Sequence, residues 1–214
     1  MENTNQLKIY SKYNNLISLN VTPGHFATSS SHINYYIDIT TLKTRSSEAK
    51  EVAKAMVQDY VVSTVIDTII CLDGTDIIGA YLADELTSAG FISANTHKTI
   101  YILQPEQNSA GQLLFRENNL PMIRGKNVLV LLASASTGKT LKTALECIEY
   151  YGGSIAGVSS IFSAATEIHG VTINSIFTAE DVPGYATYGT SSCPLCKGNH
   201  PINAIVNRYG YAKL

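Results

Sequence analysis

The stretch Val128-Leu129-Val130-Leu131-Leu132-Ala133-Ser134-Ala135-Ser136-Thr137-Gly138-Lys139-Thr140 decides how this 214-residue chain is read. Its first five residues are all apolar, which predicts a strand covered on both faces. Lys139 to Tyr151 then has helical spacing, closed by Gly152-Gly153. A strand, a small-residue turn and a helix start together predict an anion site. The first N–H groups of a helix lack internal partners, and its dipole is positive there. The small residues Ser134, Ala135, Ser136 and Gly138 let the backbone close on a phosphate, and Ser134, Ser136, Thr137 and Thr140 offer hydroxyls. The competing reading is an ordinary strand-to-helix turn with Thr137 as the helix cap.

Outward from this stretch, strands and helices alternate. Strands are predicted at Thr64–Leu72, Thr99–Leu103, Val128–Leu132, Ile155–Phe162 and Val171–Phe177. Helices are predicted at Glu48–Tyr60, capped by Ser46 or Ser47, and at Ile77–Ser88, ended by Gly90. Residues 104–124 are polar and show no clear period. This order implies an α/β core over about 46–180, with a central, mostly parallel sheet flanked by helices. Residues 1–44 and 181–214 read as irregular segments, with one strand at Tyr35–Ile39, that pack together as a small cap on a single domain.

Composition narrows the function classes. Apolar residues make up 45% and charged residues 15%, enough for a full core. A net charge of -2 gives no pull toward nucleic acid or anionic membranes. No apolar stretch is long enough to span a bilayer, and Met1 to Gln6 has no signal-peptide pattern. Cys71 and Cys147 fall in apolar periodic segments, where cysteine acts as a small hydrophobe. A reducing, cytoplasmic location is expected.

Two families build such a turn. Ala133-x4-Gly138-Lys139-Thr140 fits a loose P-loop, in which Lys139 would reach phosphates and Thr140 would hold Mg²⁺. The first glycine is missing, however, and neither later strand ends in the aspartate that a P-loop NTPase needs. The stretch 128–140 resembles instead the donor-binding motif of the type I phosphoribosyltransferases. That motif is an apolar strand, two acidic residues, two apolar positions, then S/T-T-G-x-T/S before a helix. Gly24-His25-Phe26-Ala27-Thr28-Ser29-Ser30-Ser31-His32-Ile33-Asn34-Tyr35-Tyr36-Ile37-Asp38 independently resembles a segment of the orotate phosphoribosyltransferases. The two resemblances, with the order of elements, touch residues 22 to 200.

The resemblance implies that 5-phosphoribosyl 1-diphosphate or a nucleotide binds at Ser134, Ala135, Ser136, Thr137, Gly138, Lys139 and Thr140. It also implies a diphosphate and Mg²⁺ loop at Asp73, Gly74, Thr75 and Asp76, a base-side cap containing Phe26, His32, Tyr35 and Tyr36, and a homodimer. Strand alternation sends Tyr35 and Tyr36 to opposite faces, so at most one of them stacks on a base.

Three departures erode this pattern. Leu132 and Ala133 stand where the family has its acidic pair, and neither side chain accepts a hydrogen bond. The family's basic flexible loop is replaced by Leu103-Gln104-Pro105-Glu106-Gln107-Asn108-Ser109-Ala110-Gly111. Arg116, Arg124 and Lys126 could substitute only through a different loop fold. The first loop places Asp73 and Asp76 where an anion would sit, although Asp76 can instead cap the following helix. A divergent transferase and a non-catalytic nucleotide-binding relative are both expected readings, and Mg²⁺ belongs to the first.

Cys193-Pro194-Leu195-Cys196-Lys197-Gly198-Asn199-His200 has zinc-knuckle spacing, and a similar segment occurs in some orotate-type relatives. A closed zinc site needs four ligands. His200 is nearby, whereas His25, His32, His97 or His169 would have to come from afar. Structural thiols in a tight turn are therefore preferred to zinc at Cys193 and Cys196, and no metal is assigned from sequence.

Overall fold

The computed structural model describes residues 6–88, 92–96, 99–109, 111–168 and 170–214. The predicted helix end at Gly90, and His97 and His169, lie outside them. In chain order the elements begin β1 (Leu7–Tyr10), β2 (Ser18–Ala27), β3 (Ser31–Asp38), α1 (Thr40–Thr44), α2 (Ser46–Met56), β4 (Thr68–Cys71) and α3 (Asp76–Ser88). The middle of the chain holds β5 (Tyr101–Leu103), β6 (Glu106–Gln107), β7 (Leu113–Leu114), β8 (Asn127–Ala135), α4 (Lys139–Tyr150) and β9 (Ser154–Ser163). The last elements are β10 (Glu167–Ile168), β11 (Val171–Thr172), β12 (Asn174–Thr178), β13 (Thr187–Gly189), α5 (Pro194–Lys197), β14 (Ala204–Asn207) and β15 (Gly210–Lys213).

The core sheet runs β12-β9-β8-β4-β5, and every pairing in it is parallel. β8 lies at its centre, so its side chains must be apolar on both faces. Leu129, Leu131 and Ala133 pack with Val52, Met56, Ile78 and Leu82 of α2 and α3. Val128, Val130 and Leu132 pack with Leu141, Ala144 and Ile148 of α4. The order of strands in space reverses between β4 and β8, the first and third strands of this sheet in sequence. Open α/β sheets bind ligands at that switch point, beyond the carboxyl ends of the strands.

The termini depart from expectation. They are not irregular: they form a six-stranded sheet ordered β13-β3-β2-β14-β15, with β1 also paired to β2. The first and last segments meet where β14 runs parallel to β2, Ala204 opposite Phe26. The alternation was hidden because the register of β2 breaks between Pro23 and Phe26. Three local expectations also change. Neither Ser46 nor Ser47 caps α2: Arg45 takes that position, and the Ser46 hydroxyl lies 2.6 Å from that of Tyr81. The predicted strand Val171–Phe177 is split. Val171 and Thr172 fold back on β10, a hairpin closed by the Ile173 N–H donating to the Thr166 carbonyl, and only β12 joins the sheet. Within 104–124, β6 and β7 form a short hairpin and Glu117–Met122 a 3₁₀ helix.

Tyr60 ties the helical face to the sheet. Its ring is 3% exposed, and its hydroxyl donates to the Val158 carbonyl (3.1 Å), lies 2.8 Å from the Ser159 hydroxyl and accepts from the Asn174 amide (2.9 Å). Removing that oxygen leaves buried polar groups without partners. Tyr60→Phe is expected to lower the unfolding free energy by about 1–3 kcal/mol in urea titration. A loss below about 0.5 kcal/mol would place the hydroxyl among neutral surface groups.

Candidate phosphate-binding site

Two turns meet at the switch point. After β8 the chain passes through Ser136-Thr137-Gly138 and enters α4. Gly138 is the helix cap, with φ of 73°, a left-handed conformation that side chains resist. A Cβ there would also lie 2.5 Å from Cγ2 of Ile168, because the β10–β11 hairpin folds over the turn. Glycine is thus required twice over. No side chain caps α4 and its first turn holds no acidic residue, so its amino end is polarised toward anions. Thr137 is therefore not the helix cap. Ser134, Thr137, Lys139 and Thr140 are exposed, Ser136 is half-buried and Ala135 is buried.

The strand is longer than predicted. It runs through Ala135, and Ser134 and Ala135 pair with Phe162 and Ser163 of β9. Ala133 to Ala135 are therefore strand, and only three residues remain as turn. The P-loop reading needs a longer loop wrapped around phosphate, so the geometry disfavours it. Leu132 and Ala133, at the family's acidic positions, are 1% and 3% exposed and belong to opposite faces of the core.

The second turn, Leu72-Asp73-Gly74-Thr75, follows β4. Asp73 and Gly74 both have positive φ (57° and 77°), and the Thr75 N–H donates to the Leu72 carbonyl at 3.3 Å, as in a type I′ turn. The turn is pinned to β8. The Leu72 N–H donates to the Leu131 carbonyl at 2.8 Å, and the buried Thr75 hydroxyl faces both the Leu72 (2.9 Å) and Leu131 (3.2 Å) carbonyls. Asp76 is the first residue of α3 rather than its cap, and its charge suits the helix dipole.

Sequence reasoning missed two cations here. The Lys43 ammonium, from α1, donates to the backbone carbonyls of Asp73 (2.7 Å) and Arg208 (3.1 Å). Arg208, at the β14–β15 turn, stacks on Tyr209 with 4.8 Å from guanidinium carbon to ring centroid. Burial pushes the Asp73 carboxyl above its usual range, opposed by the charges of Lys43 and Arg208. Burial likewise pulls Lys43 below the usual lysine range, opposed by Asp73, Asp38 and Asp76. The Lys43 ammonium is thus held by backbone carbonyls beside the turn where Mg²⁺ is expected at Asp73 and Asp76.

The downstream basic residues do not supply the missing loop charges. Arg116 is clamped by Glu106, Nε to Oε1 at 2.8 Å and Nη2 to Oε2 at 2.6 Å. Arg124 and Lys126 precede β8, at the end of the sheet away from the turn. The eight residues from Lys126 to Ser134 put them roughly 26 Å away along the strand.

The expected base-side residues do not share one surface. Phe26 packs on Tyr36 with ring centroids 5.9 Å apart, and Tyr36 on Tyr211 at 4.8 Å. Burial first, then Asp38, pushes the Tyr36 phenol up to about 12, so it stays protonated. Tyr35 packs on the main core and borders a separate cavity of about 400 Å³ with Asn34, Leu195 and Pro201. His32 turns to neither group. Its Nδ1 lies 3.0 Å from Nε2 of His25 and 3.2 Å from Sγ of Cys196. Cys71, by contrast, is a buried core thiol pushed up to about 12 by its burial.

No family model and no curated protein matches this sequence. Solved structures do resemble it. Orotate phosphoribosyltransferase of Mycobacterium tuberculosis H37Rv, as its Fe(III) dicitrate complex, is 16% identical with a TM-score of 0.53 over 77% of this chain and 93% of that one. The same enzyme in complex with 5-phospho-alpha-D-ribosyl 1-diphosphate is 15% identical, with a TM-score of 0.50 over 69% and 82%. Orotate phosphoribosyltransferase from Aeropyrum pernix is 20% identical, with a TM-score of 0.51 over 75% and 88%. With the parallel five-stranded sheet and the paired turns at its switch point, these likenesses establish that the chain has the type I phosphoribosyltransferase fold.

Proposed function

We propose that this protein binds the phosphate of a phosphoribosyl compound or nucleotide on Ser136-Thr137-Gly138 and the first turn of α4, without transferring the sugar. One observation carries the reading: the uncapped amino end of α4 opens at the switch point with Lys139 beside it and no carboxylate in its first turn. The Mycobacterium tuberculosis structure of the same fold holds a phosphoribosyl diphosphate, which supports this ligand class.

Leu132 and Ala133 weigh against transfer. Each missing charge-assisted hydrogen bond to ribose is worth roughly 1.5–3 kcal/mol. Both side chains are packed in the core, so no rotamer change brings a polar group to the sugar. A second reading, transfer of phosphoribose to an orotate-like base by a cytoplasmic homodimer, has one observation in its favour. Lys43 and Arg208 bring positive charge to the turn after β4, where a departing diphosphate would need it.

Calorimetry with nucleoside 5′-monophosphates separates these readings when paired with a diphosphate-release assay using the donor, Mg²⁺ and a panel of bases. Saturable monophosphate binding with no diphosphate release is expected. Release above background that falls in Lys43→Ala would establish the transferase reading instead. Lys139 is exposed, so Lys139→Ala should leave the fold intact. It should weaken monophosphate binding about tenfold, the equivalent of ~1.4 kcal/mol. Unchanged affinity would move the phosphate away from α4, and ATP hydrolysis that disappears in this variant would restore the P-loop reading.

A further inference from the structure

We infer that His25, His32, Cys193 and Cys196 form a closed structural zinc site that clasps the two ends of the chain together. Their ligand atoms all lie within 4.8 Å of one another. His25 Nε2 is 3.0 Å from His32 Nδ1 and 3.6 Å from each of the two sulfurs, and His32 Nδ1 is 3.2 Å from Cys196 Sγ. With Zn–N near 2.0–2.1 Å and Zn–S near 2.3 Å, a tetrahedral ion holds its ligand atoms roughly 3.3–3.8 Å apart. The cluster is already close to that size.

The hydrogen bonding points the same way. His25 Nδ1 lies 2.9 Å from the His200 carbonyl oxygen, which can only accept. That bond places the His25 proton on Nδ1 and leaves the Nε2 lone pair facing the cluster, the second-shell arrangement typical of a metal-bound histidine. Charge is consistent as well. Binding releases the two thiol protons, and two thiolates offset the charge of a divalent ion. The resulting neutral unit suits a site where His25, His32 and Cys193 are 3%, 8% and 1% exposed. Two sulfur and two imidazole ligands select zinc among common divalent ions, and four protein ligands leave no open position for catalysis. A disulfide between Cys193 and Cys196 would give the two converging imidazoles nothing to bind.

The ligands come from β2 (His25), β3 (His32), the cap residue before α5 (Cys193) and α5 itself (Cys196). The site lies between two places where the carboxyl-terminal segment joins the cap sheet, Tyr188 opposite His32 and Ala204 opposite Phe26. The ion would fix that segment on the sheet and hold Leu195 and Pro201 as a wall of the 400 Å³ cavity. This inference does not depend on the proposed phosphate site.

His200 provides the discriminating control. Sequence spacing favours a Cys193, Cys196 and His200 knuckle, but only the backbone carbonyl of His200 takes part and its side chain is exposed. The full chain, purified without chelator, is tested by elemental analysis and by Co²⁺ titration of the demetallated protein. One zinc per chain and the visible spectrum of tetrahedral cobalt thiolate are expected. His200→Ala should retain the full equivalent, whereas His32→Ala and Cys196→Ser should each lose it. If either fails to fold, the cobalt spectrum of the unaltered chain still decides the matter. Metal-free protein that gives no cobalt thiolate band, or metal lost in His200→Ala and kept in His32→Ala, overturns the assignment.

Discussion

The parallel pairing of β4 with β8 sets the positions of both turns and both halves of the core. It sets Thr68 to Cys71 against Val128 to Leu131. The Leu131 carbonyl then receives the Leu72 N–H and faces the Thr75 hydroxyl. One acceptor in the middle of β8 thereby fixes the turn after β4, three residues before β8 delivers its own exposed Ser134. Both turns owe their positions to this register. A shift of one residue would turn Leu132 and Ala133 to the wrong faces and break both halves of the core.

From this geometry follows a site divided in its chemistry. In the proposed site the amino end of α4 would hold the anion by backbone groups, which substitutions at neighbouring side chains leave in place. Leu132 and Ala133, where the resemblance would put ribose-binding carboxylates, belong instead to the two faces of the core. Positive charge reaches the turn after β4 from Lys43, just after the amino-terminal sheet strands, and from Arg208 in the last hairpin. Both ends of the chain thus contribute to the same turn, and four of their side chains converge again at His25, His32, Cys193 and Cys196.

Much of the core was legible because periodicity and position agree there. Val128 to Leu132 is apolar on both faces because it is the central strand, and Lys139 onward repeats Leu141, Ala144, Leu145 and Ile148 on one helix face. Gly138 was legible as a small residue, but its second role, making room for Ile168, depends on a hairpin hidden in what reads as one strand. The cap sheet was not legible because its strands pair at long range and the bulge at Pro23 breaks their alternation. Lys43 and Arg208 were missed, and His25 and His32 could be named only as distant candidates, for a related reason. A lone lysine or histidine carries no local pattern, and only the pairing of residues near 25 with those near 204 shows where it points.

The proposed site is a phosphate cradle without a ribose grip. The most direct test is a crystal structure of the protein with a nucleoside 5′-monophosphate. The expected result is a phosphate on the N–H groups of Gly138 to Thr140, with no side chain from Leu132 or Ala133 at the ribose hydroxyls. A phosphate bound elsewhere on the chain, or a ribose gripped by carboxylates at the end of β8, would contradict it.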